Sequence, residues 1–211
     1  QPLETSLIAE DGVSVAGLVR AVQDVLQSSS PLVPVLQPHA PRLLALVGGL
    51  TLHPVAQLLL TAAQTARPAH YAHAVAAMAL NGALMAADGG DDAAVRLALL
   101  SGLLHDVGEM YIDPLHGEAE ADRDLDFASY QQLVVHPHVG YLLVAQLTNY
   151  PAEVARAIAE HHERLDQSGY PNALGGGKMS PQGRLLAVTE ATLNALRSPY
   201  SHLLHASVAL R

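Results

Sequence analysis

Residues 69–106 read "AHYAHAVAAMALNGALMAADGGDDAAVRLALLSGLLHD", two apolar runs parted by a short break, the second closing on His105 and Asp106. The first run is Ala-rich and stops at "DGGDD", where Gly89 and Gly90 are natural helix terminators and the aspartates suit the N-terminus of a second helix. The same pattern recurs downstream. "FASYQQLVVHPHVGYLLVAQL" (127–147) predicts one further helix, and "NYPAEVARAIAEHHE" (149–163) another, with Pro151 near its first turn. A Gly-rich loop, "GYPNALGGGKMS", then leads to a last helix, "PQGRLLAVTEATLNAL" (181–196). No alternating strand pattern persists and no internal repeat appears, so the expected fold class is all-α.

Ahead of residue 69 the signal is weaker. Val15, Leu18, Val22 and Leu26 keep helical spacing through 12–28. A Ser run and prolines at 31, 34, 38 and 41 then predict a linker or an irregular connection over about 29–41, followed by helices at about 42–50 and 53–66. Residues 1–65 are read as an N-terminal helical region with no assigned role, and 66–211 as the second unit.

Half of the chain is apolar and 15% is charged, enough to build a sizeable core, and aromatics at 4% leave Leu, Val and Ala to fill it. The 11 basic against 20 acidic residues give a formal charge of −9, a poor match for a general nucleic-acid binder. A small anionic ligand then needs its positive charge from metal ions. With 0 cysteines, disulfides and thiolate sites are excluded. The longest apolar stretch is interrupted by a Gly pair, a His and a Pro, and so reads as core helices rather than a membrane segment. The expected location is cytoplasmic. A first residue of Gln rather than Met reads as a piece of something longer.

Histidine carries the chemistry. The chain has 12, more than its 11 Lys and Arg together. His161 and His162 extend the apolar stripe of Val154 and Ile158 at helical spacing. His105 and Asp106 end "LALLSGLL", His136 ends "YQQLVV", and Glu190 lies on the face of Leu186 and Leu193. Taken singly, each histidine reads as a hydrogen-bonded core residue and Glu190 as a structural ion pair. Together they point elsewhere, because burying such groups without partners costs several kcal/mol. Imidazoles with carboxylates suit Fe, Mn, Zn or Ni, and two ions would activate water and clamp a phosphate. His39, His53, His116, His138, His202 and His205 are left as surface or structural residues.

"HDVG" at 105–108, "HPHVG" at 136–140, "HHERLDQSGYP" at 161–171 and "RLLAVTE" at 184–190 resemble the motifs of the HD-GYP domain, a branch of the HD phosphohydrolases. The resemblance covers about residues 68–202. It implies a helical bundle of HD-domain type, here with an N-terminal helical extension. The implied activity is hydrolysis of cyclic di-GMP by metal-activated water, giving a linear dinucleotide or GMP. It also implies metal ligands His105, Asp106, His136, His161 and His162, with Glu190 where the family has an Asp. The family's first histidine matches His73, 32 residues before His105; His70, one turn earlier, ranks second as a metal candidate. Ala69 stands where members with three metals carry a Glu, so two divalent ions are expected, iron or manganese ahead of zinc or nickel. Gly169, Tyr170 and Pro171 would shape the substrate loop. Family members often form dimers and sit with sensor or receiver domains, and diguanylate cyclases are implied as signalling partners.

The departures fall on the substrate side. Glu109 stands where the family has a Lys, and near a phosphate it replaces attraction with repulsion. "LNALRSPYSH" replaces the family's Asp and Arg-Pro-Tyr-basic segment, with Arg197 displaced by one position. Arg184 and Lys178 remain as anion contacts, although Arg184 reads equally well as a helix-surface residue. Asp106 and His105 are the expected catalytic centre. Glu109 holds the general-acid position, where a protonated carboxyl would have to do the lysine's work. Three functions stay open: a slow or altered-specificity cyclic di-GMP phosphodiesterase, a degenerate signalling module, and a phosphohydrolase for another phosphoester.

Overall fold

A computed structural model describes residues 12–112, 127–175 and 177–197. The acidic segment 113–126, expected as a connection from the sequence, and the segment after Arg197, with Pro199 and Tyr200, lie outside the described residues. The rest is helical: α1 (Val15–Gln27), α2 (Val33–Leu36), α3 (Ala40–Gly48), α4 (Pro54–Ala66), α5 (Pro68–Ala87), α6 (Asp92–Leu104), α7 (Phe127–Leu133), α8 (His136–Leu147), α9 (Ala152–Glu160) and α10 (Pro181–Arg197). No strand occurs among the described residues, which bears out the all-α expectation; an isolated bridge pairs Asp166 with Gly175. None of the described helices is long and apolar enough to cross a membrane.

Local chemistry places the helix ends. Ser14 caps α1 by accepting the Gly17 amide at 3.1 Å, and Asp91 caps α6 through the Ala94 amide at 2.8 Å, each satisfying a donor that a helix start leaves open. Two expectations shift. The segment 29–41 is not a plain linker, because Pro34 and Pro41 stand in the first turns of α2 and α3, where a missing N–H costs nothing. The predicted helix over 127–147 breaks at Val134–Val135, and α8 starts afresh with Pro137 in its first turn. The missing proline N–H and the clash of its ring with the carbonyl four residues back interrupt the run there. That break leaves His136 at the head of a helix.

α5 is the axis of the bundle. It buries residues around its whole circumference, including Ala74, Met78, Leu80 and Ala83, as a helix surrounded by others must. α6 and α10 pack on it, as do α1, α3 and α4 from the N-terminal side, and one core cluster runs from Val13 to Leu193. A buried polar chain fixes the register of three of these helices. Asn81 on α5 donates to the Ala98 carbonyl of α6 at 2.8 Å and accepts from the Thr189 hydroxyl of α10 at 2.9 Å. Thr189 is thereby locked against α5, and the next residue, Glu190, is delivered to the face of His73.

Candidate metal centre

Five helices meet at one buried site. α5 supplies His73, the end of α6 supplies His105 and Asp106, the head of α8 supplies His136, and the end of α9 supplies His161 and His162. α10 adds Glu190. All seven are buried. Two motif glycines bring α8 in: a Cβ on Gly108 would collide with the His136 carbonyl, and one on Gly140 would stand 2.9 Å from Ile158 Cγ2. Only bare backbone lets the turn after Asp106 close on the first turn of α8.

The seven side chains form two sets of ligand-capable atoms that share one residue: His73, His105, Asp106 and Glu190, and Asp106, His136, His161 and His162. Asp106 divides its oxygens between them. Its Oδ2 lies 3.0 Å from His105 Nε2 and 3.5 Å from His73 Nε2. Its Oδ1 lies 3.4 Å from His136 Nε2 and 3.3 Å from His161 Nε2. Glu190 Oε2 closes the first set at 2.9 Å from His73 and 3.2 Å from His105.

The imidazole tautomers follow from the backbone. Nδ1 of His105, His136 and His161 faces the carbonyls of Gly102, Leu133 and Ile158 at 2.8, 2.7 and 2.6 Å. A carbonyl accepts only, so each Nδ1 must carry a proton, and each Nε2 is left facing inward with a lone pair whenever its ring is neutral. Yet His73 and His105 bring their Nε2 atoms to 3.2 Å, and His136 and His161 theirs to 3.1 Å. Among the described residues, neither oxygen of Asp106 finds a well-aligned hydrogen-bond donor. Lone pairs and carboxylate oxygens converging in this way fit divalent cations with mixed nitrogen and oxygen ligands.

Electrostatics agree. Burial disfavours charge on His105, but Asp106 and Glu190 outweigh it and hold its pKa well above the usual imidazole value. In the metal-free chain a proton thus sits where a cation would. Burial would raise Asp106, but His105 and its neighbours hold it well below the usual carboxylate range. Glu190 is held low in the same way, chiefly by His73. Burial lowers His161, and burial reinforced by His161 and His136 lowers His162 further. Both are therefore neutral near pH 7 and able to ligate.

The structure thus brings together His73, His105, Asp106, His136, His161, His162 and Glu190. His70 joins neither set. Its Nδ1 lies 3.3 Å from Glu109 Oε2, and the two side chains are 4% and 1% exposed. Glu109 is accordingly turned toward α5. Tyr170 stacks on His162 with centroids 4.5 Å apart and planes 19° apart, with Gly169 and Pro171 on either side. Arg184 and Lys178 are exposed. Arg184 lines a cavity of about 360 Å³ with Arg164, Met179 and Val188 that none of the clustered ligands lines. Two residues that the sequence reading gave no place in the site come forward. Arg197 Nη2 lies 3.6 Å from Glu190 Oε1, and Glu163, fully buried, holds the loop after His162.

Fold and site together define an all-helical protein with two adjoining sets of histidine and carboxylate side chains that could hold divalent ions. The chain belongs to the HD domain family, whose model matches residues 56–211. It is 34% identical over 162 residues to a cyclic di-GMP phosphodiesterase of Pseudomonas aeruginosa, covering 75% of this chain and 38% of that protein. It is 32% identical over 99 residues to the cyclic di-GMP phosphodiesterase response regulator RpfG of Xanthomonas campestris, covering 46% of this chain and 25% of that protein. A 3'3'-cGAMP-specific phosphodiesterase of Vibrio cholerae is 35% identical over 100 residues, 45% of this chain and 18% of that one. The chain therefore spans well under half the length of each of these relatives. The HD-GYP resemblance drawn from the motifs is consistent with this membership.

Proposed function

We propose that the chain is a metal-dependent phosphodiesterase hydrolysing cyclic di-GMP to the linear dinucleotide or GMP. The observation that carries the reading is Asp106, one carboxylate offering an oxygen to each of two ligand sets. Two divalent ions held there, iron or manganese ahead of zinc or nickel, would lower the pKa of a water and offset phosphate charge. His73, His105 and Glu190 would hold one ion, His136, His161 and His162 the other. The Nδ1 contacts keep His105, His136 and His161 aimed before any ion arrives, which reduces reorganisation when substrate binds.

Asp106, facing both sets, would orient the attacking water, with His105 beside it. Gly169, Tyr170 and Pro171 would wall the substrate pocket at His162, and Arg197 brings a guanidinium to the Glu190 edge for the phosphate. Arg184 and Lys178 are outer anion contacts in this reading. The burial of Glu109 against His70 favours a part in holding the first turn of α5 over delivery of a proton to the leaving oxygen. It also means that the charge reversal at position 109 is spent on an internal pair. Residues 1–65 are proposed as an appended region, the assembly as a homodimer working with sensor, receiver or diguanylate cyclase domains, and the location as cytoplasmic.

The test is turnover of cyclic di-GMP by metal-loaded protein, with elemental analysis of the same sample and 3'3'-cGAMP in parallel. About two metals per chain and hydrolysis abolished by His105→Ala is the expected result. Two metals without turnover of either dinucleotide would overturn it and leave a signalling module or another phosphoester.

A further inference from the structure

Glu163 follows the paired histidines, is fully buried, and among the described residues faces no basic side chain through its carboxylate oxygens. Instead Oε1 accepts the amide of Asn172 and Oε2 the amide of Leu174, both at 2.7 Å. These amides lie nine and eleven residues further along the chain. The carboxylate therefore ties the far side of the Gly-Tyr-Pro loop back to its origin. Two features tighten the same closure. The Tyr170 amide donates to the His162 carbonyl at 3.1 Å, and any Cβ on Gly169 would collide with Arg164 N, His162 O and Glu163 Cα. The product of this folding-back is the stack of Tyr170 on His162 at 4.5 Å. The Tyr170 ring also stands edge-on to His136, with centroids 6.4 Å apart.

We propose that Glu163 is a positioning residue: its two hydrogen bonds pin the 169–174 loop so that Tyr170 stays on the imidazole of His162, fixing that ring and shielding it from water. A buried carboxylate satisfied by two amides makes a stronger tether than neutral groups would. The effect on ligation rests on the two-ion reading above; the loop closure does not.

The experiment separates the two. Glu163→Gln keeps the shape but turns one acceptor into an NH₂ donor facing an amide N–H, so one of the two bonds must fail. In the metal-free chain, the His162 ring protons are predicted to lose the upfield shift that a stacked Tyr gives, and to move to their positions in Tyr170→Leu. In Mn²⁺ titrations, Glu163→Gln and Tyr170→Leu should each weaken one site about 10–100-fold, as outer-shell changes do. The double variant should be no worse than either single one, since both break the same connection. His162 signals left at their wild-type positions, an unchanged Mn²⁺ affinity with the stack lost, or additive losses would each overturn the proposal. If the wild-type chain bound no Mn²⁺, the two-ion reading would fail while the ring-proton shifts still judged the loop. Should Glu163→Gln not fold, amide exchange on the wild type decides: slow exchange at Asn172 and Leu174 is expected, and fast exchange refutes the tether.

Discussion

Replacing Asp106 by Asn changes one atom and tests the shared-ligand arrangement. The carboxylate places Oδ2 at 3.0 and 3.5 Å from one pair of imidazole nitrogens and Oδ1 at 3.4 and 3.3 Å from the other. Asn keeps a single oxygen. Whichever way it turns, one set receives an NH₂ that cannot ligate, and both lose a negative charge. Loss of an outer-shell partner costs about 10–100-fold in metal affinity, or about 1.4–2.8 kcal/mol, so a direct ligand should cost at least that at one site. Isothermal titration of the metal-free protein with Mn²⁺ should show one site lost at working concentrations and the other weakened. The metal-free stability has its own sign. Asp106, with its folded pKa depressed, stabilises the fold above its unfolded value near 3.9 and loses that as pH falls. His105, with its folded pKa raised, stabilises below about 6.5 and loses that as pH rises. The Asn variant should therefore fall furthest behind wild type between about pH 4 and 6.5 in urea unfolding. Two sites of wild-type affinity in Asp106→Asn would refute the reasoning.

Glu109→Lys, which restores the family's lysine, should destabilise the chain by about 3–5 kcal/mol rather than raise activity, because it breaks a buried pair with His70; the urea midpoint reads this, and an unchanged midpoint contradicts it. Gly108→Ala should cost about 1–3 kcal/mol by overpacking and weaken metal binding, since the His136 carbonyl must move to admit the methyl; elemental analysis and thermal unfolding check both. His162, whose folded pKa is depressed by burial, resists the proton that the unfolded chain takes up below about pH 6.5, so its contribution worsens as pH falls. The metal-free wild type should accordingly lose stability relative to His162→Leu between pH 7 and pH 5, and the opposite trend would be inconsistent with a neutral buried imidazole.

The helices were legible because their apolar runs are long and punctuated: Gly89–Gly90 ends α5 and Pro151 precedes α9. Six of the seven clustered side chains were legible as polar groups standing where apolar ones belong, and His73 only through the family resemblance. The misread positions share a cause, namely that proline acts differently at the head of a helix and within one. Pro34 and Pro41 open helices where a linker or an irregular connection was expected, while Pro137 splits a continuous apolar run and so sets His136 at a helix start. The pairing of His70 with Glu109 depends on where the turn after Asp106 lies against α5, which no local spacing encodes. Glu163 was hidden by its neighbours, although a signal existed. An acid directly after two buried histidines and ahead of a rigid turn must find donors, and the amides of the turn are the donors within reach.

The central claim is that Asp106 is common to two metal positions. Anomalous diffraction at the manganese edge from crystals of the Mn²⁺-loaded chain tests it most directly. The account predicts two peaks about 3.5–4 Å apart with the Asp106 carboxylate between them, one beside His73, His105 and Glu190 and the other beside His136, His161 and His162. A single peak, or two peaks that do not share Asp106, would contradict it.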